Sequence, residues 1–96
     1  GKNLISVAIL VRPGSGTSIA VDADAVLKLK DGSLKYLSGS RRLPADGGLI
    51  MMTGEGSTAV NDIQSVTFKF STLVDVGSLI PKGSENGVPT ILWMGN

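Results

Sequence analysis

A long alternation of apolar and polar residues constrains this chain more than any other feature. It runs from Ser18 to Lys30, and its apolar line consists of Ile19, Val21, Ala23, Ala25, Leu27 and Leu29. The intervening line is mostly polar and includes Asp22, Asp24 and Lys28. Because successive side chains of a strand point to opposite faces, the pattern predicts a strand with one buried and one wetter face.

The Asp31–Gly32 dipeptide directly after this segment predicts a tight hairpin. Asp-Gly between alternating runs favours a two-residue type I′ turn, in which both central residues have φ > 0. Such a loop pairs Lys28 with Lys35 and places Leu34 and Tyr36 on the buried face.

Four further segments are typical of strands: 4–11, 49–53, 66–76 and 88–94, and the third of these has a candidate bend near Thr72. Residues 38–48 and 81–86 are rich in turn-forming residues and predict loops. No long segment has the 3.6-residue period of a helix. We therefore expect a single domain, residues 1–96, of the all-β class: a small antiparallel β-sandwich or barrel of about six to eight strands.

Segment 4–11 is apolar on both faces, which is typical of a strand that is covered on both sides. The core of a chain with 96 residues is thin, so a second subunit is one candidate cover. Segments 4–11 and 91–94 are also expected to be sheet edges that carry little charge. The candidate subunit-contact residues are Leu4, Ile5, Val7, Ile9, Val11, Ile91 and Trp93.

Few residues of this chain are of the types that form catalytic, cofactor-binding or metal-binding sites. The chain has no histidine and no cysteine, which removes the commonest catalytic and metal-binding side chains. Residues 54–59 match the G-x-G-x-x-G/A dinucleotide fingerprint, but the strand predicted at 66–76 leaves no room for the crossover helix. Residues 13–17 lack the lysine of a Walker loop, and Asp22 and Asp24 alone are too few ligands for a metal. We expect no catalytic residue, no cofactor and no metal.

Positive charge is concentrated in residues 28–42, although the net charge of the chain is only +1. This segment holds one carboxylate, Asp31, and five cationic residues: Lys28, Lys30, Lys35, Arg41 and Arg42. One interpretation is a solvated edge hairpin whose lysines prevent aggregation. The other is a surface that contacts nucleic acid or an acidic partner. Stacking of single-stranded bases is not expected, because Tyr36 is assigned to the buried face.

These features favour a non-catalytic structural or interaction subunit that self-associates through sheet edges and faces, such as a virion protein or another surface-assembly component. Its expected partner is a second copy or another assembly protein. The alternative is a module that binds nucleic acid or an acidic partner through residues 28–42, and a third is a small enzyme without a recognisable motif. No apolar run approaches the ~20 residues of a membrane span, so membrane insertion is not expected. The lack of cysteine fits secreted, cytosolic and virion proteins alike, so no cellular location is predicted.

Overall fold

The computed structural model describes residues 4–56, 58–77, 79–85 and 88–95, and in these ranges the chain is built from strands. The strands are β1 (Leu4–Pro13), β2 (Ile19–Leu29), β3 (Leu34–Leu43), β4 (Gly48–Glu55), β5 (Ile63–Phe70), β6 (Val74–Asp75), β7 (Leu79–Glu85) and β8 (Val88–Gly95). A 3₁₀ turn at Val60–Asp62 precedes β5. The prediction of a small all-β domain is therefore confirmed. Among the described residues no helix has the length and apolar character needed to cross a membrane.

The strands form one sheet in the order β5-β2-β3-β4-β1-β8-β7, and the short β6 pairs with the end of β1. The ladders are antiparallel, except that β1 and β8 are parallel. The prediction that segments 4–11 and 91–94 are sheet edges is wrong, because β4 and β8 flank β1 and because β1 and β7 flank β8. The strand order ends instead at β5 and β7.

The sheet curls into a nearly closed barrel around one core. The rings of Phe68 on β5 and Trp93 on β8 meet edge to face, with centroids 6.2 Å apart, although four strands separate β5 from β8 in the sheet. The predicted apolar line of β2 faces this core, and Val21, Ala23, Ala25, Leu27 and Leu29 are buried. Strand β1 supplies Ile5, Val7, Ile9 and Val11, and the opposite wall supplies Leu37, Leu43, Ile50 and Met52.

A corner joins the two halves of the barrel where β3 meets β4. These strands are paired at Ser38 and Thr53 alone. A Cβ atom on Gly39 would overlap the carbonyl oxygen of Met51, and one on Gly54 would overlap the backbone of β3. Glycine therefore allows the two backbones to touch at the corner.

Three predicted boundaries are wrong. The loop predicted at 38–48 shrinks to 44–47, because β3 continues along β2 until Leu43, which is fully buried. The loop predicted at 81–86 is mostly strand β7, which pairs with β8. The segment 66–76, predicted as one long strand with a bend near Thr72, is two strands: the chain breaks after Phe70, at the predicted bend, and its continuation, β6, pairs with β1.

Candidate interaction surfaces

The β2–β3 hairpin closes with a three-residue loop. The amide of Leu29 donates a hydrogen bond to the carbonyl oxygen of Ser33 at 2.9 Å, and the amide of Gly32 donates to the carbonyl oxygen of Leu29 at 2.9 Å. Gly32 has a φ of 90°, as expected for the residue that follows a type I turn in such loops. The predicted hairpin position is confirmed, but the predicted two-residue loop is wrong.

The carboxylate of Asp31 stabilises this loop. It accepts hydrogen bonds from the hydroxyl of Ser33 at 2.7 Å and from the amide of Ser33 at 2.9 Å. These bonds, the hydroxyl first, hold the pKa of the exposed Asp31 carboxyl below its usual value of 3.8. The loop tip therefore keeps one negative charge, and the positive charge of Lys35 also lowers this pKa.

The extra loop residue shifts the pairing of β3 by one position. Lys28 lies opposite Leu34, and Val26 lies opposite Tyr36. A shift of one residue moves every side chain of a strand to the other face. Leu34 is 47% exposed and Tyr36 is 69% exposed, so their predicted burial is wrong. Leu37 takes the buried position instead.

The five basic residues of 28–42 do not form one patch. Lys28 and Arg42 are exposed and alternate with the buried residues of their strands, so they lie on the outer face. Lys35 and Arg41 belong to the opposite line of β3, and the guanidinium of Arg41 donates to the carbonyl oxygen of Leu49 at 2.7 Å. The pairing of Lys28 with Lys35 is wrong, because Lys35 lies opposite Leu27.

The basic residues are also separated along the barrel. Lys35 lies near the hairpin loop, and Arg41 lies six residues further along the same strand. At about 3.3 Å per residue, roughly 20 Å of strand separates them. The structure thus divides the basic segment into a lysine end, with Lys28, Lys30 and Lys35, and an arginine end, with Arg41 and Arg42.

The outer face of β1 and β4 carries the apolar residues Leu4, Leu10, Leu49 and Met51; we call this set the apolar face. Met51 lies opposite Ala8, and Leu49 lies opposite Leu10. Met51 is 46% exposed and Leu4 is 61% exposed. The corresponding outer positions of β2 include the exposed Asp22, Asp24 and Lys28. Large apolar side chains thus stand at the surface where a solvated strand normally carries polar ones.

Most of the predicted subunit-contact residues lie inside the barrel. Ile5, Val7, Ile9, Val11 and Trp93 are buried in the core of the chain itself, because β1 is an interior strand. Their apolar character therefore needs no partner. Of this set, Leu4 is exposed. The backbone of Ile91 pairs with Val7, and its side chain lies outside the described part of the structure.

The glycine-rich segments have structural roles. The amide of Gly14 donates to the carbonyl oxygen of Leu73 at 2.9 Å, and that of Gly16 donates to Pro13 at 3.3 Å, so both amides are already engaged. The segment that resembles a dinucleotide fingerprint reaches β5 through the three-residue turn at Val60–Asp62. In the described ranges no α-helix follows it to bind a pyrophosphate.

A cleft of about 510 Å³ opens at the end of β1, away from the hairpin. Arg12, Asp46 and Asp75 line it together with the backbone at Gly47 and Gly48. The two carboxylates and the guanidinium give it charges of both signs. Within the described ranges no three metal-ligating side chains are grouped together.

No protein-family model, no curated protein and no solved structure matches the chain.

Proposed function

We propose that this chain is a non-catalytic interaction subunit that self-associates through the apolar face. The observation that carries the proposal is the exposure of Leu4 and Met51, at 61% and 46%, on strands whose other face already fills the core. Met51 lies beside Leu10 and Leu49 on this face, and Ser6 and Thr53 separate them from Leu4. Exposed apolar surface of this kind marks protein–protein contact sites. In this proposal β1 has two roles: its inner face packs in the core, and its outer face forms the contact between subunits.

The chemistry of the apolar face favours a second copy as its partner. The outer positions between Leu4 and Leu10 on β1 carry no charged side chain, and Glu55 of β4 lies opposite Leu4 at one end of the face. A partner with charges against Met51, Leu10 and Leu49 would lose their hydration without gaining an opposite charge in return. A second apolar face avoids this cost, and a two-fold contact uses the same residues twice.

Burial of these side chains contributes enough free energy to stabilise a contact between two copies. Fully burying a leucine or methionine side chain contributes about 1.5–3 kcal/mol. In a two-fold contact Leu4 and Met51 contribute part of this amount from both copies, and the half-buried Leu10 and Leu49 contribute less. The two sheets then pack about 10 Å apart, as in other face-to-face sheet pairs.

The sheet edges fit self-association less well than the apolar face. Strand β7 contains Pro81, which has no backbone N–H to donate to a neighbouring strand. Strand β5 carries the exposed Lys69. Proline and lysine are residues with which edge strands prevent pairing to another sheet. The proposed contact therefore uses the face and leaves the edges solvated.

Sedimentation velocity over a range of protein concentrations tests the proposal. We expect the wild type to form a defined oligomer at high and low salt, because apolar contacts are insensitive to screening. Met51→Glu places a charge in the contact and is expected to give a monomer. The control is Thr67→Glu, which adds the same charge on the exposed, polar side of β5 and leaves the oligomer intact.

Emission from the buried Trp93 shows whether each variant has folded. If Met51→Glu unfolds the chain, Met51→Ser provides the same comparison without a charge. A wild type that is monomeric at every concentration contradicts the proposal. A folded Met51 variant with the oligomeric mass of the wild type also contradicts it.

A further inference from the structure

The outer face of the β2–β3 hairpin exposes an aromatic ring. Tyr36, the single tyrosine of the chain, is 69% exposed, and Leu34, two residues earlier on the same face, is 47% exposed. Val26 lies opposite Tyr36 and is half-buried. Packing of the barrel therefore does not require an aromatic residue at position 36.

One acidic and one cationic side chain of β2 flank this ring: Asp24, opposite Ser38, lies diagonally on one side of Tyr36, and Lys28 lies on the other. Lys28 lies opposite Leu34, which places it diagonally across the ladder from Tyr36. Diagonal neighbours in an antiparallel pair are about 7–8 Å apart. Lys30 lies in the adjoining loop. The lysine end thus brings positive charge to the same end of the hairpin as the exposed ring.

Two of the carboxylates near the lysine end are engaged, Asp24 opposite a cation and Asp31 in the loop, whereas Asp22 lies opposite Ser40 and Asp62 lines the same cleft as Lys30 and Asp31. Asp24 lies directly opposite Lys69 of β5. Opposite charges in directly facing positions attract each other across a ladder. Asp31 holds its charge in hydrogen bonds to Ser33, at the loop tip. Lys28 therefore lies between polar and apolar neighbours, Ser65 on one side and Leu34 on the other.

From this juxtaposition we infer that the lysine end binds single-stranded nucleic acid, with Tyr36 stacking on a base and Lys28 and Lys30 contacting phosphates. Single-strand binders combine these two elements, a cationic track for the backbone and aromatic rings for the bases. A purely acidic peptide such as polyglutamate would use the lysines and leave the ring without a stacking partner. The site lies on β2 and β3, so it is independent of self-association through β1 and β4.

Fluorescence anisotropy with a labelled 15-nucleotide oligothymidine at low salt tests the inference. Tyr36→Ala removes the stacking ring and is expected to weaken binding about 5- to 150-fold, the equivalent of about 1–3 kcal/mol. Tyr36→Phe keeps the ring and is expected to bind like the wild type. Because residue 36 is exposed, both variants are expected to fold.

The lysines are tested through the dependence of binding on salt. Lys28→Gln is expected to lower the slope of log affinity against log salt by about 0.7, the value for one phosphate contact on a single strand. Arg42→Gln is the matched control, because Arg42 is exposed on the outer face at the far end of the same hairpin. Its slope is expected to equal that of the wild type.

Three results would overturn the inference. One is the absence of oligothymidine binding at low salt, and another is equal binding by the wild type and Tyr36→Ala. The third is Tyr36-dependent binding to phosphatidylserine vesicles or to polyglutamate without binding to oligothymidine, which assigns the surface to a membrane or to an acidic protein. The sedimentation experiment with Met51→Glu tests self-association only, so its outcome does not affect the test of nucleic-acid binding.

Discussion

Val26 lies directly opposite Tyr36 in the β2–β3 ladder. This pairing determines which side of β3 faces the core, because side chains alternate along a strand. It buries Leu37 and Leu43 and leaves Tyr36 on the surface. The hydrogen bond between Leu29 and Ser33 closes the loop in this register. The exposed aromatic ring of the hairpin is thus a direct consequence of the loop length.

Replacing leucines on the two sides of β3 tests this register. Leu37→Ala removes a side chain that is 3% exposed and is expected to lower the free energy of unfolding by about 2–5 kcal/mol. Leu34→Ala truncates an exposed side chain and is expected to change it by less than about 0.5 kcal/mol. Urea unfolding followed by Trp93 emission measures both. Similar losses in the two variants would contradict the register.

The backbone conformation of Gly32 predicts the stabilities of two variants at this position. Its φ of 90° is unfavourable for a residue with a Cβ atom, whereas the space around it is open. Gly32→Ala is therefore expected to cost about 1–2 kcal/mol through backbone strain alone. Gly32→Asn is expected to cost less, because asparagine tolerates this conformation better. Thermal unfolding gives both values, and equal stability of Gly32→Ala and wild type would exclude the positive φ.

The corner between β3 and β4 is expected to be intolerant of side chains. In Gly39→Ala the new Cβ overlaps the carbonyl oxygen of Met51, which is backbone and cannot rotate away. We expect a loss of at least about 3 kcal/mol, at the upper end of single-substitution effects. Gly83→Ala is the control, because a Cβ there meets no atom within 4 Å. Comparable stabilities of the two variants would show that β3 and β4 do not touch at this corner.

The hydrogen bonds between Asp31 and Ser33 predict how the stability of the chain changes at acidic pH. The pKa of Asp31 is lowered in the folded chain, so its hydrogen bonds add stability above the unfolded pKa of about 3.8 and lose it as the pH falls through the folded value. Ser33→Ala removes the hydroxyl bond and is expected to raise the Asp31 pKa towards 3.8. Carbon-detected NMR titration measures it. Ser40→Ala, at an exposed position of the same strand, is expected to leave it unchanged.

Periodicity predicted the burial of β2 but could not predict the register of its hairpin. Asp-Gly fits a two-residue loop, and glycine at its second position also fits a three-residue loop that ends with φ > 0. The two loops differ by one residue in register, and only the packing of β3 decides between them. Leu37 and Leu43 fill the core in the observed register, at the cost of exposing Leu34 and Tyr36.

The apolar character of segment 4–11 was interpreted correctly as a strand and incorrectly as an edge. An interior strand and an interface strand have the same composition, so the neighbours of β1 could not be identified from its sequence. The extension of β3 to Leu43 was hidden by Arg41 and Arg42, whose side chains are exposed at the end of the strand. The candidate surfaces depend on register and strand order, and both are set by contacts distant in sequence.

The reactivity of a single introduced thiol tests most directly whether a second copy covers the apolar face. The chain has no cysteine, so Met51→Cys and Asp22→Cys each report on one exposed outer position. The rate of reaction with a bulky maleimide is measured as the protein concentration rises. We expect the thiol at position 51 to become protected as the oligomer forms and the thiol at position 22 to stay reactive. Equal and concentration-independent rates at the two positions would contradict self-association through the apolar face.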